Sequence, residues 1–135
     1  MSYQIRRTPY GFRFEHEGCP STADVEAFCA EARDAIDDTR GSFCVLSDQR
    51  QLELFPRDGA AELGRLMAHA GASGLQRSVA VVGSVTCQMQ VDRLVANARD
   101  GDESVVVRAS DHDDPISVAE AWVRDGVHPD AAATR

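Results

Sequence analysis

Short apolar runs alternate with stretches whose apolar residues return every three or four positions, and few architectures accept that order. Val79-Ala80-Val81-Val82 is the clearest run, with Phe43 to Leu46 before it and Val105 to Val107 after it. Continuous apolar runs of this length suit strands buried on both faces. Between them lie two helical stripes, Ala60, Leu63, Met67 and Ala70, then Cys87, Val91, Leu94 and Val95. Strands joined by helices are expected to be parallel, with right-handed crossovers.

The N-terminal region has a different period. Ser2 to Arg7 and Gly11 to Glu17 alternate apolar with polar residues around Thr8-Pro9-Tyr10-Gly11, which predicts an antiparallel hairpin. His16 shares the face of Phe12 and Phe14, where a satisfied, partly buried histidine is the ordinary expectation. Ser21 or Thr22 caps a first helix with Val25, Phe28, Cys29, Ala32 and Ile36 on its inner stripe, and Gly41 stops it. Ser47 to Asp58 reads as polar and irregular, with Leu52, Leu54 and Phe55 interleaved. A second helix spans about Asp58 to Ala70, and Ser84 caps a third. Asp114 and Pro115 give a strong start to a last helix carrying Trp122. The expected fold is α/β, one domain over residues 1–126. It has a mixed sheet of about five strands, an N-terminal antiparallel hairpin followed by parallel strands joined by helices. Residues 127–135 read as a flexible tail.

At 135 residues the chain is long enough for one well-buried core. Its net charge of −8 argues against a nucleic-acid backbone and against an anionic membrane surface. Every basic residue is Arg, so neither Schiff-base chemistry nor a P-loop lysine is available. The cysteines at 19, 29, 44 and 87 have no C-x-x-C spacing. With no signal peptide and no run long enough to span a bilayer, a cytoplasmic chain with reduced thiols is the default expectation.

Candidate sites are sparse. In a parallel sheet, ligands favour the crevice beyond the carboxyl ends of the strands. That rim gathers Ser47, Asp48 and Arg50, then Gly83, Ser84 and Thr86, then Ser110, Asp111 and His112. Asp48, Arg50, Ser84 and Thr86 are the ligand-binding candidates: backbone N–H groups at a helix start receive an anion, and Arg50 adds a bidentate clamp. Asp111 to Asp114 lacks the alternating donors and distal Glu of a calcium loop, so no metal site is expected. Cys87, on the first turn of the third helix, is the best nucleophile candidate, but its stripe position favours burial and no His is placed beside it. No catalytic residue and no cofactor is assigned.

The order of elements resembles the STAS-like fold, the family of anti-sigma-factor antagonists and their sporulation antagonist-like relatives. The resemblance covers nearly the whole chain. It is carried by Cys44-Val45-Leu46-Ser47-Asp48-Gln49-Arg50, by Arg77-Ser78-Val79-Ala80-Val81-Val82-Gly83-Ser84 and by Ala119-Glu120-Ala121-Trp122-Val123, which look like bacterial relatives of unassigned function. The family's switch is an Asp-Ser-Ser-Gly turn opening the second helix, where a serine is phosphorylated by a partner kinase. Pro56-Arg57-Asp58-Gly59 falls on that turn, with Arg57 and Asp58 in place of the serines. The resemblance therefore implies a non-enzymatic regulatory or protein-interaction domain without the usual acceptor. Asp58 is either a helix cap or a fixed negative charge at the helix start. Leu54, Phe55 and Asp58 are the partner-binding candidates: Leu52, Leu54 and Phe55, three large apolar residues in a polar segment, are either loop core or an exposed contact patch, and the partner-binding reading takes the patch. The partner is a protein of unknown identity, and a homodimer is compatible. The alternative is a small-ligand module, for an anion or a lipid-like molecule, using the rim residues.

Overall fold

The computed structural model describes residues 3–98 and 103–130. Five strands, β1 (Tyr3–Thr8), β2 (Gly11–Gly18), β3 (Phe43–Leu52), β4 (Leu75–Val82) and β5 (Ser104–Arg108), form one sheet in sequence order. β1 and β2 are antiparallel, and every later pair is parallel. The helices are α1 (Thr22–Asp37), α2 (Ala60–Ala72), α3 (Val85–Ala98) and α4 (Pro115–Asp125).

The two periods in the sequence decide which faces are covered. β2 alternates buried and half-buried residues along Gly11–His16, so one face needs a cover. Phe43–Leu46 and Val79–Val82 are buried throughout, so these strands need covers on both faces. Right-handed crossovers between successive neighbours put α1, α2 and α3 on one face. There Phe12, Phe14, Val45, Ala80 and Val82 meet Phe28, Ile36, Leu63, Leu66 and Val91. The opposite face of the central strands presents Cys44, Leu46, Val79 and Val81, and α4 covers it with Ala119, Trp122 and Val123.

Local chemistry sets the element ends. Ser21 Oγ accepts from Asp24 N, and the Asp24 carboxylate accepts from Ser21 N, a reciprocal cap on α1. Asp114 caps α4 by accepting from the Ser117 N–H and hydroxyl, which holds its carboxyl below the usual range. At the other end of α4, Arg77 donates to the carbonyls of Val123 and Arg124 and lies over the Trp122 ring, a cation placed where the helix dipole favours it. Gly11, at φ +146, lies where a Cβ would sit 2.2 Å from the Cys44 carbonyl oxygen, so the hairpin passes β3 only as glycine.

Three boundaries differ from the sequence reading. β3 does not end at Leu46 but runs to Leu52, because its polar residues pair with β2 and β4 through their backbones. α2 starts at Ala60 after a single 3-10 turn, Arg57–Gly59, and continues through Gly71. Val127–Asp130 fold back instead of fraying: Val127 N donates to Ala121 O, the His128 ring meets Trp122 edge-on at 5.8 Å, and Pro129 is buried. The rest of the expected tail, 131–135, lies outside the described residues.

Candidate functional site

The carboxyl ends of the parallel strands carry an irregularity that organises the region. Glu15 pairs with Asp48 but Glu17 pairs with Gln51, so Gln49 and Arg50 together oppose His16. One extra residue in a strand re-aims the side chains beyond it. Ser47 and Gln49 therefore point to the α1–α3 layer, and after the extra residue Leu52 does too.

Among the rim candidates, Asp48 and Arg50 are brought together, but onto each other. Asp48 Oδ1 accepts from Arg50 N at 3.2 Å and Nε at 2.9 Å, and Oδ2 accepts from Arg50 Nη2 at 2.9 Å and Arg13 Nη2 at 3.2 Å. Burial pushes the Asp48 carboxyl up, but the hydrogen bonds from Arg50 and the charges of Arg50 and Arg13 outweigh it and hold the pKa below its ordinary value. Ser84 Oγ accepts from Cys87 N at 3.1 Å, the capping role read from the sequence, and Thr86 is exposed on the same first turn. Gly83 keeps this turn close, since a Cβ there would lie 2.5 Å from the Arg50 carbonyl oxygen.

The expected patch of Leu52, Leu54 and Phe55 does not form. Leu52 (4% exposed) and Phe55 (6%) are core residues, and only Leu54 (38%) faces solvent. Phe55 is drawn in by a two-point backbone clamp: its N–H donates to Gln90 Oε1 and its carbonyl accepts from Gln90 Nε2, both at 3.0 Å. The large apolar side chains exposed among the described residues are Leu54, Val85 (54%) and Met89 (58%). Val85 and Met89 are one turn apart on α3, and the Gln90 clamp holds the Leu54 loop against the same stretch of helix. The sequence signal for them is their phase, since both fall off the Cys87-Val91-Leu94 stripe. Asp58 is exposed in the turn preceding α2 and makes no capping hydrogen bond, while Gly59 is buried against Val25 of α1.

Cys87 is fully buried, its thiol donates to Gln49 Oε1 at 3.4 Å, and burial pushes its pKa up, away from a reactive thiolate. No group of three or more His, Cys, Asp or Glu that could hold a metal is found among the described residues. No helix among them is long and apolar enough to cross a membrane.

His16 departs most from expectation. It is 6% exposed and packs edge-on against Phe28 (4.5 Å) and Phe55 (5.0 Å), yet its ring has no hydrogen-bond partner among the described residues. Burial alone lowers its pKa to about 4, so the imidazole is neutral at pH 7. It stands between two spaces. Outward is a shallow polar depression with Glu15, Glu17 and Asp48 on its walls. Inward is an apolar cavity of about 130 Å³ between the sheet and α1–α3.

Comparison with family models, curated proteins and solved structures gave no match.

Proposed function

We propose that this chain is a non-enzymatic regulatory domain of STAS-like type that acts by protein contact, in a cytoplasmic setting. The observation that carries the reading is the exposure of Val85 and Met89, one turn apart on α3, with Leu54 exposed in the loop that the Gln90 clamp ties to that helix. An exposed apolar set of this kind is more often a contact surface than an accident of folding when it is confined to one place. The turn before α2 carries Asp58. Asp58 there is a permanent carboxylate at a helix start, where the resemblance implies a phosphorylated serine. A carboxylate carries less charge than a phosphate and cannot be removed by a phosphatase. Binding is thus constitutive rather than kinase-gated.

The test is the double substitution Val85→Glu, Met89→Glu in the full chain, expressed at native level in its source cells. Loss of the co-purifying protein with an unchanged thermal midpoint is expected. Retention of that protein by a folded double variant contradicts the reading.

A further inference from the structure

The geometry points to a second site, independent of the proposed contact surface: the cavity beneath α1–α3 binds a neutral, ring-sized apolar molecule that presents one polar group to His16 and Gln49. Its floor explains why the space exists. Ser47, Ser78, Ala80 and Ser104 occupy inward sheet positions where larger apolar residues would fill the gap to the helices. Ser78 and Ser104 satisfy each other, Oγ to Oγ at 2.7 Å, so they leave this end of the floor without a free polar group.

The carboxyl end of the cavity is different. His16 is 94% buried with both ring nitrogens unpartnered by protein, and Gln49, equally buried, has only its Oε1 engaged, by the Cys87 thiol. The fully buried side-chain nitrogens without a partner among the described residues are those of Arg13, Arg33 and Arg77, so the His16 and Gln49 nitrogens keep access to water-sized space, and a ligand's polar group takes the place of water there. The strand irregularity between β2 and β3 sets these two side chains opposite each other. An apolar wall with a few convergent polar groups is the usual make-up of a small-molecule site.

The lining also selects charge and size. Among the described residues no Arg, Asp or Glu lines the cavity, so a carboxylate, phosphate or ammonium would enter without a counter-charge from them. An apolar cavity of about 150 Å³ admits benzene, and about 130 Å³ is of that order. Of the lining residues, Leu94, Val95, Ser104 and Val105 are only half-buried, so this side of the cavity is the least covered among the described residues.

Phenol and benzene are the probes, titrated into the isotope-labelled chain and followed by two-dimensional NMR. Phenol is expected to shift the amides of Ser47, Gln49, Leu63 and Val91 saturably, to move the His16 ring resonances, and to bind about tenfold more tightly than benzene, the worth of one hydrogen bond. His16→Phe should bring the two probes to parity. Equal binding of phenol and benzene to the native chain overturns the polar anchor. No saturable shift with either probe shows a closed packing defect and overturns the site. Should His16→Phe fail to fold, the His16 ring resonances of the native chain decide the matter: movement with phenol and not benzene supports the site, and no movement overturns it.

Discussion

His16 and Phe55 show how little a residue's type says about its role until its neighbours are known. The imidazole titrates at about 4 when folded and near 6.5 when unfolded. Its folded pKa is depressed, so its neutral form favours folding fully above about 6.5, and that contribution is lost as pH falls toward 4. The loss is about 3 kcal/mol, and urea midpoints measured from pH 7 to pH 4 should fall accordingly. His16→Phe should flatten that slope. Asp48 adds a separate loss only at lower pH, since its carboxyl is held below the ordinary value. At the neighbouring loop, Phe55→Asp places a charge in the core and should cost at least about 3 kcal/mol, whereas Leu54→Asp, on the surface, should stay within about 0.5 kcal/mol in the same denaturation experiment. The sequence left open whether Phe55 is loop core or contact surface. Its local segment is polar, and what buries it is the Gln90 amide, 35 residues away.

The elements were legible where their period was clean. The alternating hairpin, the apolar β4 run and the Asp114-Pro115 start of α4 all lie where the sequence puts them. β3 was legible only in its apolar half. Beyond Leu46 the strand is held by backbone pairing, and the extra residue opposite His16 breaks the alternation that would have marked it. Because this break sets both Gln49 and Leu52 inward, it shapes the cavity and fixes the loop that carries Leu54. The Gln90 clamp should act at this scale. Gln90→Ala removes two hydrogen bonds and should destabilise the chain by about 1–2 kcal/mol, with hydrogen exchange at the Phe55 amide accelerating more than exchange in β4. Uniform exchange changes would show that the clamp has no local role.

At the scale of the whole molecule, two cores share one sheet, and the same β3 and β4 residues alternate between them. Trp122 reports the α4 side, its indole N–H donating to Ser78 O at 3.0 Å, while far-UV circular dichroism is dominated by all four helices. Both probes should give one coincident unfolding transition, since neither core can lose the sheet without the other. An earlier loss of the Trp122 signal would mean that α4 docks as a separate unit. The candidate site, by contrast with the fold, was only partly legible. The rim candidates were named from topology alone, and topology does not reveal that Asp48 and Arg50 neutralise each other. The proposed contact surface rests on Val85 and Met89, whose off-stripe phase was visible, whereas the Gln90 clamp that ties the Leu54 loop to their helix is a property of the folded chain. The most direct measurement of that central claim is photo-crosslinking in the source cells, with a photoreactive residue at Met89 and, as control, at Glu26 on exposed α1. Contact through this surface predicts one discrete adduct from position 89 and none from position 26. No adduct at 89, or equal adducts from both positions, would contradict it.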